Sequence, residues 1–158
     1  MRAQHFLVPL DFSACADCAL AHAIGLATTL HARLTLLHVT SLPLVSEVDI
    51  APYQAAIEAD ARRALDACLL RVHDAGVEGS SALAFGVPWQ EIIEMAKTAG
   101  ADLIIMGTHG RAGLEHLVLG TVAERVVRLA PCPVLVTPAH TTVPTPEGKA
   151  APQQRSCR

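Results

Sequence analysis

Aromatic side chains are scarce: 3% of 158 residues, one Trp, one Tyr and three Phe. Trp89, Tyr53, Phe6, Phe12 and Phe85 are spread along the chain, so the core has to be aliphatic, and the 51% of hydrophobic residues supplies it from Leu, Val, Ile and Ala. That palette suits β-strands packed against Ala-rich helices. An excess of positive charge is also missing. Twelve Lys and Arg against 15 Asp and Glu give a net charge of −3, and the cations are scattered. No basic stripe exists to neutralise a phosphate backbone, which argues against a nucleic-acid partner. Long apolar runs are absent at the N-terminus, where Phe6-Leu7-Val8-Pro9-Leu10 is closed at once by Asp11. That run is too short for a secretion signal or a membrane span, so a soluble, cytoplasmic protein with no membrane partner is expected. Cysteine is sparse and odd in number, with Cys15, Cys18, Cys68, Cys132 and Cys157. This excludes the dense, even framework of a small secreted domain and fits reduced thiols.

A chain of this length buries roughly 70% of its unfolded surface and can hold a core without staples. Phe6 to Leu10 reads as a strand, and Ser13 as the cap of an Ala-rich helix from Cys15 to Leu30. Arg33 to Val39 is a second strand, followed by a loop through Pro52 with two prolines and no helical period. Tyr53 to Ala75 carries apolar residues at helical spacing and stops at Gly76. Ser81 to Phe85 is a weaker strand, and Pro88 opens a helix over about Trp89 to Thr98. Asp102-Leu103-Ile104-Ile105-Met106 is continuously apolar after its first residue, the mark of a strand covered on both faces. A helix from Thr121 to about Leu129 and a strand from Val134 to Thr137 complete the order. Five strands alternating with four helices argue for a doubly wound α/β fold: a five-stranded parallel sheet, Rossmann-like or flavodoxin-like, with helices on both faces, and the strand order expected for it is 3-2-1-4-5. Residues 1–138 read as one domain. The segment 139–158, rich in proline and without apolar periodicity, reads as a disordered tail.

Ligands of doubly wound sheets bind at the carboxyl ends of the strands, where strand order reverses. After the most apolar strand the chain runs Gly107-Thr108-His109-Gly110-Arg111, and later Gly120-Thr121. Gly107 leaves the strand where a ligand would press on the backbone, and Gly110 lets exposed amides curl toward an anion. Gly120-Thr121 then starts a helix whose free amides and dipole favour negative charge by roughly 0.3–1 kcal/mol per interaction. Thr121 adds a hydroxyl and Arg111 a cation. The segment lacks the Gly-Lys-Ser/Thr of a Walker-type loop and the spacing of the dinucleotide fingerprint.

The pattern Gly107-x2-Gly110-x9-Gly120-Thr121 resembles the nucleotide motif of the universal stress protein family. Val8-Pro9-Leu10-Asp11-Phe12-Ser13 is similar to that family's opening strand, and Ala130 to Val136 to its closing strand. The resemblance covers residues 1–137. It implies an adenine nucleotide as ligand, ATP or the shorter AMP or ADP, with or without Mg²⁺. It places Asp11 (with Pro9 and Leu10) and Val39 at the nucleoside, Met106 and Gly107 beside it, and His109, Gly110, Gly120, Thr121 and Val122 near the phosphates, where the charge of Arg111 is the cation read from the segment itself. It also implies a homodimer through the last strand, 134–137, and a stress-response role in which nucleotide occupancy regulates a dimer or partner. One departure is Ala123, where ATP-binding relatives often carry a second hydroxyl.

Efficient catalysis is not expected, because phosphoryl transfer needs a placed nucleophile, cations and usually Mg²⁺, and the segment offers one Arg, one His and no evident base. Slow ATP hydrolysis is the most the resemblance implies. Two rival readings are a nucleotide-free dimeric interaction module and an adenylating enzyme, the latter disfavoured because Leu10-Asp11-Phe12-Ser13 stands where a Ser-Gly-Gly loop would be. Cys15, Cys18 and His22 share a helix face at i, i+3 and i+7, expected to turn away from the Ala16, Ala19, Leu20, Ala23 and Ala27 stripe. No fourth ligand can be named, and neither a metal nor a catalytic site is expected.

Overall fold

Ser13 begins the first helix as its sequence suggests: its backbone is extended and its hydroxyl accepts the Ala16 amide at 3.3 Å. The computed structural model describes residues 4–41, 51–108 and 119–138, with residues 51–53 described by backbone alone. The elements are β1 (His5–Pro9), α1 (Ala14–Leu30), β2 (Arg33–Thr40), α2 (Ala51–Asp74), β3 (Gly79–Phe85), α3 (Pro88–Thr98), β4 (Leu103–Gly107), α4 (Thr121–Leu129) and β5 (Val134–Thr137). All five strands are parallel in one sheet, ordered β3-β2-β1-β4-β5. The direction of winding reverses between β1 and β4, which therefore flank the switch point.

Side chains alternate between the two faces of each strand, and each face is covered by its own pair of helices. Val8, Leu36 and Ile105 pack with Leu20 of α1 and with Leu65 and Val72 of α2. Leu7, Leu37, Ile104 and Met106 pack with Ile92 of α3 and with Ala123 and Val126 of α4. This explains the continuous apolar run of β4, which is an interior strand between β1 and β5. Gly76 and Gly100 follow α2 and α3 with φ of +72° and +63°, the left-handed turn that ends a helix at little cost for glycine.

Most boundaries shift from expectation by one or two residues. β3 begins at Gly79, earlier than Ser81, because Gly79 and Ser80 pair with Leu34 and Thr35 through their backbones. Position 79 also cannot carry a side chain freely, since a Cβ there would lie 2.8 Å from Val72 Cγ1 of α2. The expected tail, 139–158, and nearly all of the loop expected over 41–52 lie outside the described residues.

The amino ends of the strands are joined by a polar relay. His5 Nδ1 donates to the Ala99 carbonyl at 3.0 Å and its Nε2 lies 2.8 Å from the buried Thr35 hydroxyl, which contacts Ser80 Oγ at 3.2 Å. Asp102 accepts the amides of Gln4 and His5 at 2.9 and 3.0 Å, and these bonds hold its carboxyl below the usual carboxylate range. Burial, and then the Arg33 charge, hold the His5 imidazole below its ordinary value.

Candidate functional site

At the opposite end of the sheet, β1 and β4 deliver their carboxyl termini side by side. Leu10 is fixed from two directions: its amide donates to the Leu37 carbonyl at 2.8 Å, and His38 Nδ1 donates to its carbonyl at 2.6 Å. The His38 ring stacks on Phe12 with centroids 4.5 Å apart. Phe12 holds φ of 63°, a left-handed conformation that a bulky residue adopts only when its surroundings enforce it. Asp11 is the pivot of the same turn, its Oδ1 accepting the Ser13 amide at 3.1 Å and the Ser13 hydroxyl at 2.6 Å. Stack, turn and helix cap together set the half-buried Asp11 at the mouth of the switch point.

The two ends of the glycine segment meet in space. Gly120 donates its amide to the Thr108 carbonyl at 2.8 Å, and Thr108 donates to Thr137 of β5 at 3.0 Å. The start of α4 is thereby held against the end of β4. The first bond within α4 runs from the Glu124 amide to the Gly120 carbonyl at 2.8 Å, and Gly120, the cap residue, has no side chain with which to cap the helix. The amides of Thr121, Val122 and Ala123 precede that bond and form a donor group at the positive end of the helix dipole. Gly120 has φ −61° and ψ 150°, a conformation open to any residue, so torsional freedom does not account for glycine there.

Gly107 has a different explanation. A Cβ at that position would lie 2.7 Å from Cys15 Cβ and 2.9 Å from the Cys15 carbonyl carbon, so the first turn of α1 occupies the space. This corrects the expectation for Cys15, which is buried under β4 with its Sγ 4.0 Å from Thr108 Oγ1, and does not face away from the core. His22 Nδ1 instead donates to the Cys18 carbonyl at 2.8 Å. Among the described residues no group of three or more His, Cys, Asp or Glu is placed to hold a metal ion.

The structure thus brings Pro9, Leu10, Asp11, Val39, Met106, Gly107, Gly120, Thr121 and Val122 to the carboxyl end of the sheet or the adjoining start of α4. His109, Gly110 and Arg111 lie outside the described residues. Ala123 is buried in the core against the sheet, and Thr121 is exposed. Sequence reasoning missed Thr108, which locks α4 onto β4, and the His38–Phe12 stack that shapes the Asp11 turn. A hollow of about 270 Å³ behind that turn is lined by Leu10, Phe12 and Ser13 of the turn, by α1 and by Cys68 of α2. Burial pushes the Cys68 thiol up. Among the described helices none is long and apolar enough to cross a membrane.

Fold and site define a doubly wound α/β domain with an anion-favouring helix start at its switch point. Residues 2–138 match the model of the universal stress protein family, and the chain belongs to that family. It is 34% identical over 145 residues to universal stress protein MJ0531 of Methanocaldococcus jannaschii, covering 84% of this chain and 81% of the relative. The solved structure of protein MJ0577 superposes with a TM-score of 0.79 at 28% identity, over 90% of this chain and 100% of that one. A universal stress protein solved in complex with cAMP superposes with a TM-score of 0.65 at 25% identity, over 88% and 99%.

Proposed function

We propose that the protein binds an adenine nucleotide at the carboxyl ends of β1, β2 and β4 and acts through occupancy, not turnover. The observation that carries this reading is the start of α4, capped by a glycine in an unstrained conformation with no side-chain cap among the described residues, and tied 2.8 Å from the Thr108 carbonyl at the switch point. The family relative that holds cAMP supports a purine nucleotide as the ligand class. Asp11 and the backbone of Val39 take the nucleoside, for a carboxylate accepts ribose hydroxyl or amino protons and a strand end reads a base edge. The phosphates meet the amides of Thr121 and Val122 and the Thr121 hydroxyl, with His109, Gly110 and Arg111 completing the cradle. Ala123 contributes no hydroxyl, which favours AMP or ADP over ATP, a missing bond to a charged group being worth about 1.5–3 kcal/mol.

Occupancy regulates a homodimer built on β5. That strand is an edge of the sheet and its Leu135 is 37% exposed, an arrangement suited to pairing with a second copy. A ligand that prefers the dimer adds about 2.7 kcal/mol at a hundred times its Kd. The packing of Gly107 on Cys15 favours a second reading, a nucleotide-free dimeric module whose glycines serve packing. Calorimetric titration of AMP and ATP into the wild type and Gly120→Ala separates the two. Micromolar binding, about −8 kcal/mol, weakened tenfold or more in the variant, is expected. No heat from either nucleotide at millimolar concentration would sink the nucleotide reading and leave the interaction module.

A further inference from the structure

Trp89 is the single tryptophan of the chain. It lies in the first turn of α3 and packs against the same buried cluster as Val39, Leu119 and Val122. The Arg125 guanidinium of α4 sits 5.3 Å from its ring centre, an arrangement that fixes the plane of the indole. Its Nε1 is buried and has no hydrogen-bond partner among the described residues. One other buried side-chain atom among them shares that condition, the hydroxyl of Thr40, the residue directly after Val39. Strand alternation places the Thr40 side chain on the sheet face opposite that of Val39. Trp89, on the α3–α4 side, and Thr40, on the other, therefore flank one strand end.

Buried polar atoms without partners are few in native proteins because each costs stability, and those that persist call for a reason. Both lie at the carboxyl end of the sheet, where a doubly wound domain takes its ligand: Thr40 ends β2, and Trp89 opens α3 just after Gly86, whose amide donates to the Thr40 carbonyl at 3.1 Å. An apolar core position would be filled as well by Phe and Val. We propose that the Trp89 N–H and the Thr40 hydroxyl are recognition groups for the nucleoside end of the ligand, one on each side of Val39. The indole N–H can only donate, so its partner is an acceptor on the base or ribose, while the Thr40 hydroxyl can donate or accept. The inference rests on the nucleotide reading above and adds side-chain recognition to it, with the phosphates playing no part in these two contacts.

The test is titration of adenosine, AMP and ATP into wild type, Trp89→Phe and Thr40→Val, by calorimetry for all three proteins and by indole fluorescence for the two that keep Trp89. In the wild type each ligand shifts the Trp89 emission. Each variant loses about three- to tenfold in affinity, by the same factor for adenosine, AMP and ATP. Unliganded Thr40→Val melts at or above the wild-type temperature, since an orphaned hydroxyl has been removed. Unchanged affinities in the variants of a wild type that binds would overturn the inference, as would losses confined to ATP. A wild type that binds none of the three fails the nucleotide reading itself, a distinct result. Should Trp89→Phe not fold, Thr40→Val decides alone.

Discussion

Gly107→Ala is the substitution whose effect the structure sets most tightly. The added methyl would lie 2.7 Å from Cys15 Cβ, 2.9 Å from the Cys15 carbonyl carbon and 3.0 Å from its oxygen. Two of these atoms are backbone of α1 and the third is bonded to it, so no side-chain rotation relieves the contact. Either α1 or the end of β4 must shift, and overpacking of this kind costs about 1–3 kcal/mol. For a chain of this size that lowers the melting temperature by roughly 2–12 °C. Gly25→Ala is the matched control: it lies in α1 with nothing within 4 Å of the added methyl, and should gain about 0.5–1 kcal/mol from helix propensity. Calorimetric melting of both variants reads the two signs. Cys15→Ala should not rescue Gly107→Ala, because alanine retains all three clashing atoms. A Gly107→Ala protein as stable as wild type, or one rescued by Cys15→Ala, would refute the packing argument.

The remaining expectations concern titration, reactivity and the core. His5 has its pKa lowered by burial and Arg33, with Asp102 and Glu78 acting the other way. Below 6.5 the unfolded chain then binds a proton that the folded one resists, so the stability His5 contributes is complete above pH 6.5 and falls as pH drops toward its folded value. Urea midpoints between pH 7.5 and 5.5 should decline less in His5→Gln than in the wild type, and an equal decline would contradict the relay. Cys68 and Cys132 are pushed up by burial, so at pH 8 both should react with a disulfide reagent more slowly than in urea-unfolded protein, checked by mass spectrometry of the labelled peptides. Leu20→Ala, at a fully buried position between α1 and the sheet, should lose about 2–5 kcal/mol by urea denaturation.

Elements defined by side-chain pattern were legible in the sequence. The bounds of α4 and β5 agree with their reading, and the apolar run of β4 correctly signalled cover on both faces. Elements held by backbone pairing were not: Gly79 and Ser80 have no apolar period, yet they form the first rungs of β3 on β2. Helical spacing placed Cys15, Cys18 and His22 on one face and read that face as turned from the core, whereas β4 covers Cys15. The candidate site was legible as a string of residues after two strands. The Thr108–Gly120 bond, the left-handed Phe12, and the Trp89 Nε1 and Thr40 hydroxyl left without hydrogen-bond partners among the described residues were not, because each depends on chain segments distant in sequence.

The central claim, an adenine nucleotide held at the start of α4, is tested most directly by denaturing freshly purified protein and identifying any released nucleotide by chromatography. The account predicts adenine nucleotide from the wild type and a marked reduction from Gly120→Ala. Release in equal amount from both would contradict the assignment of the site, and a wild type that releases nothing and binds neither AMP nor ATP at millimolar concentration would contradict the function.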